Sequence, residues 1–598
     1  MQRPEMTPQT HGFALVSALA VMTLVLLITF TLVTTSTSEL FQTNSSQGLV
    51  RARALAEASV AQATATLVND GVTQVNTVLK PYVDAFASSG KDAASEDIVP
   101  VSAYGTVETQ LNSTVKSNAS VTAPDGGGSA QGGVVFDNFR LDKASRNKEG
   151  QTYYVDYELS GTGTSGKHQR NVETTGTLRL VLGRQYLNQY VLLADDGGFN
   201  QGTCWMSGGR QFCSGGGFFG TGNTFDGPVH FNKNVAFRGN PRFNYGVTVA
   251  SPTNFMYDCV ARAYQVTANQ TTGCTTPDYG SYGKQHVSDT VPLPTNAFSQ
   301  ARAALGLNAG LTGALTNREI CQAIGQNQNC TPASGVYVPR SGSTVTGGIF
   351  IQGDAQDVQL SVNGQNQVYT VTSATGVVTR IEVNYGSNTT TVTTGNQVTN
   401  LTGVPNGQLY ANGSIRSLRG PARTGAVSSP SPASPPVQVP PALAAESKLN
   451  IASSGDVRIQ GDLTYTEDPR TVPDAKNVLG IISGSGNVLV GTGAPNDIYI
   501  MGSILAGGSG KGLLVEGIDN PSVVYGARGK LNLLGSLAEN TDPLRAITSG
   551  SQTVKGYDDN FSYDKRFLNG GAVPPYFPAT TKFTATTFWP KQNTWDEK

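Results

Sequence analysis

Six cysteines are the residues in this chain with the plainest chemistry. They fall into three pairs, Cys204 with Cys213, Cys259 with Cys274 and Cys321 with Cys330. Six cysteines allow about fifteen connectivities, and sequential pairing closes the most local loops. Three local disulfides are therefore expected, with free buried thiols as the alternative. A zinc site would need C-x-x-C spacing or histidines close by. The four histidines, His11, His168, His230 and His286, accompany no close cysteine pair. Disulfides persist in oxidising compartments, so this part of the chain is expected outside the cytoplasm.

Other candidates for chemistry fail on spacing. Gly507 to Gly512 reads GGSGKG. A phosphate loop would carry glycine where Leu505 stands and a hydroxyl residue where Gly512 stands, so the stretch reads as a turn. Neither a G-x-S-x-G elbow nor an H-E-x-x-H helix occurs. The acidic pairs Asp195–Asp196 and Asp558–Asp559 are adjacent in sequence, and neighbours on a strand point to opposite faces. Asp226, before Gly227 and Pro228, reads as a turn residue rather than a base. The chain is thus expected to be no enzyme, with no cofactor and no metal.

The elements that must position these residues begin with an apolar run. Phe13 to Val33 contains no charged residue. As a helix it would be roughly 32 Å long, against about 30 Å for a bilayer core. A transmembrane helix over 13–36 is expected. An ordinary signal peptide has a shorter apolar core followed by a small-residue cleavage site. Here the small residue, Gly12, precedes the run and an aromatic, Phe13, follows it directly. Further on, Leu49, Ala52, Ala56, Val60, Ala63 and Leu67 recur at helical spacing and predict one buried stripe.

The glycine–phenylalanine junction resembles the class III leader of type IV pilins. Combined with RARALAEAS, the first seventy residues resemble the N-terminal domain of PilX-like minor pilins. The resemblance implies a leader over 1–12, cleaved after Gly12 by a prepilin peptidase that methylates the new terminus at Phe13. It also implies other pilins or pilus assembly proteins as partners. Major pilins carry Glu at the fifth mature position, where this chain has Ser17. The leader holds Arg3 against Glu5, so its positive-inside signal is weak.

Composition frames the remainder. Only 14% of residues are charged, net charge is −1 and glycine numbers 70. That balance gives no electrostatic footprint for nucleic acid. It suits an extracellular, mainly β protein. A stalk helix and adaptor are expected over 37–123, then a small β or α+β module over 124–183 beginning at the linker PDGGGSAQGG. Tyr153, Val155, Tyr157 and Leu159 should share one strand face, as should Leu178, Leu180 and Leu182.

From Arg184 very short strands alternate with Gly and Asn turns, as in FDGPVHFNKNVAFRGNPRFNYGVTVAS. Small inward-facing apolar sets with polar corners are what an irregular parallel β-helix, or solenoid, requires. Two parts are expected, 184–427 and 447–598, with β-sandwich modules as the alternative. An antiparallel insertion over 357–400 carries an Asn363-Gly364 hairpin signal. The Pro-rich segment 428–446 reads as an exposed loop. In its order of motifs, Arg184 to Pro578 resembles an uncharacterised extracellular domain found behind PilX-type N-termini in Deinococcus-like bacteria.

Together these point to a membrane-anchored, low-copy structural subunit of a type IV pilus or pilus-like machine, its bulk in the cell envelope. A surface adhesin or envelope scaffold is the alternative, with surface carbohydrate as a further partner. An anchored carbohydrate-active enzyme would require clustered inward carboxylates.

Overall fold

The computed structural model describes residues 11–598 apart from 68–70, 90, 116–118, 148–149, 208–209, 251–254, 260–263, 267–272, 281–285, 288–289, 312, 428–434, 524, 550–551, 570–571, 589–595 and 598. The expected leader, Met1 to Thr10, lies outside the described residues. The chain is mainly β, in several sheets, and none of the sheets closes into a barrel among the described residues. It divides into two compact units, Met1–Gly183 with Phe583–Lys598, and Arg184–Lys582.

Unit 1 opens with α1, His11–Thr66, a stretch without proline. Two shorter helices follow, α2, Val72–Ser89, and α3, Tyr104–Thr114. An antiparallel meander comes next: β1, Ala119–Thr122; β2, Ser129–Asn147; β3, Gly150–Ser165; β4, His168–Tyr186. The strand Ala579–Phe588 lies beside β4. Strict alternation makes β3 and β4 one-sided, as a half-buried sheet requires. Tyr153, Val155, Leu159, Leu178, Leu180 and Leu182 are fully buried on that side. Of the predicted stripe, Ala52, Ala56, Val60 and Ala63 of α1 and Leu67 just after it are buried, whereas Leu49 is half-buried. Among the described residues no helix is long and apolar enough to cross a membrane.

Unit 2 is built from stacked parallel strands. Its first sheet contains β5, Leu192–Asp196, flanked on one side by Val229–Phe231 and then Val247–Val249, all parallel. On the other side of β5 lies Ala527–Thr541. Beyond it, in parallel register, come Ile498–Ala506, Val478–Ser483, Lys448–Ser453, Gln408–Asn412 and Ile349–Gln352. After a short corner, each of the last five strands, from Ile349–Gln352 to Ile498–Ala506, leads into a strand of a second sheet. These are Ala355–Asn363, Ile415–Arg419, Val457–Ile459, Val488–Val490 and Leu513–Val515, again parallel. Val457, Ile459, Val488, Val490, Ile498 and Ile500 are all fully buried between the sheets.

The antiparallel insertion spans the strands from Ala355–Asn363 to Gln397–Thr402. Its first hairpin turns one residue later than the Asn363-Gly364 signal suggests. Asn363 pairs with Asn366, so Gly364 and Gln365 make the turn, with Gly364 at φ +60°. Glycine at the first turn position with φ above zero fits the type II′ geometry.

Two boundaries move. The ladder runs directly from Gln408–Asn412 to Lys448–Ser453, so the Pro-rich segment does not divide the body into two parts. Of that segment, 428–434 lies outside the described residues and Val437 is exposed, but Ala442, Leu443 and Ala444 are buried. The segment is thus not exposed throughout, although among its described residues no strand begins before Lys448. Finally, Phe583–Lys598 belongs to unit 1, where Asp596–Glu597 pairs with β4, and not to the second β segment 447–598.

Candidate assembly surface

Helix α1 has two halves that differ in what they touch. In the first, Met22, Leu24, Leu27, Phe30 and Val33 are each more than half exposed, together with the apolar residues between them. A continuous apolar surface of this kind on an extended element marks an interaction site. The threonines interspersed there do not break it. Thr34 donates its hydroxyl to the Phe30 carbonyl at 2.8 Å and Thr35 to the Thr31 carbonyl at 2.7 Å. Thr29 and Thr31 bond back to Val25 and Leu27 in the same way. Each hydroxyl is thereby satisfied within its own helix. The first charged side chain after Phe13 is Glu39.

The second half of α1 is fixed to the sheet by glycines. A Cβ added at Gly163 of β3 would lie 2.0 Å from the Ala52 carbonyl oxygen, and one at Gly161 would lie 2.6 Å from that of Ala56. Small residues on both partners, Ala52 and Ala56 against Gly161 and Gly163, let helix and strand backbones touch. Arg51 pairs with Asp125 at the end of this contact. On the outer side Arg53 and Glu57 form an exposed i,i+4 pair at 2.9 Å.

Gly12, Phe13 and Ser17 fall in the first turns of α1. Their side chains lie outside the described ones. All six cysteines are bonded, Cys204 to Cys213, Cys259 to Cys274 and Cys321 to Cys330. The first bridge joins register partners of two antiparallel strands. The third ties the short helix Asn317–Ala323 to the loop after it.

The acidic pairs are not brought together as catalytic dyads. Asp195 meets Lys233 at 2.6 Å, whereas Asp196 accepts from the Gly198 amide at 3.0 Å. Asp558 meets Lys530 at 3.2 Å, whereas Asp559 faces the buried Arg545. Asp226 accepts from the Tyr563 amide at 2.7 Å, and burial pushes its pKa up. In the GGSGKG turn, the Gly510 amide donates to Asn540 Oδ1 and the Gly512 amide to Asn487 Oδ1. Both amides hold the turn itself. Among the described residues no group of three or more His, Cys, Asp or Glu is placed to hold a metal ion.

Two polar sites escape sequence inspection. His230 is fully buried, within hydrogen-bond distance of Thr248 and Asn232. Glu539, Asp542, Arg545 and Asp559 meet beside β5. Nothing in their local spacing signals that convergence.

The comparisons with known proteins are sparse. No curated protein matches the chain. The chain is similar to the crystal structure of the competence-associated pilin ComZ from Thermus thermophilus, with 13% identity and a TM-score of 0.27. That similarity covers 80% of this chain and 86% of that one. Residues 152–259, from β3 into the first strands of unit 2, match the family described as a domain of unknown function, DUF4900.

Proposed function

We propose that this chain is a membrane-anchored, low-copy subunit of minor-pilin type in a type IV pilus or pilus-like surface machine, and that it is not an enzyme. The observation that carries the reading is the division of α1. One half exposes an uninterrupted uncharged surface, and the other is packed on an antiparallel sheet. A protein exposing that surface needs a bilayer or a bundle of like helices to cover it. The three disulfides suit an extracytoplasmic body. The paired parallel ladders of unit 2 support its reading as an irregular β-solenoid that carries the surface function outward.

Removal of the leader after Gly12 leaves a charged amine on Phe13 at the edge of the apolar helix. An unpaired charge in a low-dielectric bundle costs several kcal/mol. Ser17 carries no charge to neutralise a neighbour's amine, so a filament made only of this chain is disfavoured. A tip or initiating position, where one such contact is missing anyway, accommodates it. Mass spectrometry of the mature protein tests this: its N-terminus should be N-methylated Phe13. An intact Met1–Gly12 leader would refute the pilin reading and favour a simply anchored adhesin. Dominance of this chain in purified filaments would refute the low-copy role.

A further inference from the structure

At the junction of unit 2 the strand Ala527–Thr541 parts between two neighbours. Its first half pairs with Gly556–Tyr563 and its second half with β5. Glu539 sits on that second half and is fully buried. In the sheet it is flanked by Ala506 and Ala194, which offer no polar side chain. Its Oε2 accepts from the Leu513 amide at 2.7 Å. The charged groups facing it are Asp542 and Arg545, from the loop that follows, and through Arg545 also Asp559.

One guanidinium serves three carboxyl groups here. Arg545, 4% exposed, takes Asp559 on Nε and Nη2 at 3.0 and 2.9 Å. Its Nη2 lies 2.7 Å from Asp542 Oδ1, and its Nη1 lies 3.6 Å from Glu539 Oε1. Yet neither Glu539 Oε1 nor Asp542 Oδ1 receives an aligned hydrogen bond. Three ionised carboxylates would leave two uncompensated negative charges in a nearly water-free place, which is strongly unfavourable. Burial and a neighbouring like charge both favour the protonated form of a carboxyl group.

We propose that the buried Glu539 carboxyl is held protonated beside Asp542 and Arg545, so that the junction of β5, Ala527–Thr541 and Gln552–Tyr563 is a carboxyl–carboxylate lock that loosens as pH rises. Burial and then the Asp542 charge push the Glu539 carboxyl well above the usual carboxylate range, against the opposing pull of Arg545. The sign follows from this. Folding takes up a proton at pH values between the ordinary glutamate range and the raised folded-state value, so the lock is fully favourable only in acid. It weakens continuously until the pH exceeds the folded-state value.

The test is denaturant unfolding of the full-length protein in detergent at several pH values between about 5 and 9, wild type against Glu539→Gln. Glutamine supplies the neutral shape without the proton requirement. The folding equilibrium constant of the variant should gain on that of the wild type by up to about tenfold per pH unit, the slope for one proton. Parallel curves would overturn the proposal. Should that variant fail to fold, infrared spectra of the wild type and Asp542→Asn at neutral pH decide. The wild type should show a protonated-carboxyl band that shrinks in Asp542→Asn, where the like charge is gone. Equal bands would overturn the lock.

Discussion

His230 shows how a single side chain can make unit 2 acid-sensitive. It is buried, and burial pulls its pKa from 6.5 down to about 4, partly offset by its bond to Asn232. The unfolded chain therefore binds a proton that the folded chain refuses. The contribution of His230 to stability should be flat above about pH 6.5 and fall by about 3 kcal/mol as the pH drops to 4. Urea unfolding of the wild type against His230→Gln should show the two curves converging in acid. A constant separation would contradict the argument. Residues of this kind were legible only in part. The cysteines could be paired from spacing because each loop is local. Asp226 could be assigned to a turn because glycine and proline follow it. Glu539 and His230 could not be singled out, since what makes them unusual is the company of residues distant in sequence. Asp195 and Asn540, which touch at the junction, are 345 positions apart.

At the scale of elements, the contact of α1 with β3 depends on missing side chains. Gly163→Val would drive a branched side chain into the Ala52 carbonyl and should cost unit 1 about 1–3 kcal/mol or more. Gly133→Ala on β2, where nothing lies within 4 Å of the added carbon, should be nearly neutral. Hydrogen exchange of the β3 amides in the two variants compares them directly, and equal protection would refute the packing argument. Periodicity revealed both partners in advance, because the helical stripe and the alternating strands each bury one side. The short apolar sets of unit 2 were equally readable, since every strand there must fill a narrow core. The turn after Asn363 was misplaced by one residue. Both the asparagine and the glycine tolerate positive φ, and cross-strand register, rather than turn chemistry alone, decided between them.

The whole molecule follows an order that no local pattern displays. The first strand of unit 2 lies in the interior of its sheet. Later strands extend the sheet outward from β5 to Val247–Val249. The chain then resumes at the opposite end and works back until Ala527–Thr541 meets β5. Unit 1 likewise closes late, since Ala579–Phe588 lies beside β4 after the chain has completed unit 2. The points where the chain leaves and rejoins unit 1 are therefore on neighbouring strands, about 5 Å apart in the hydrogen-bonding direction. Replacing Arg184–Lys582 by a short Gly/Ser linker should leave a unit 1 that folds, with the helix and strand signals of α1 to β4 intact by circular dichroism and NMR. An unfolded product would refute the independence of the two units. Structurally, unit 2 is a cassette plugged into a single loop of a smaller host, the kind of site where domain insertion is tolerated. A lineage could exchange, lengthen or discard that cassette while every contact that seats α1 on its sheet stayed as it is.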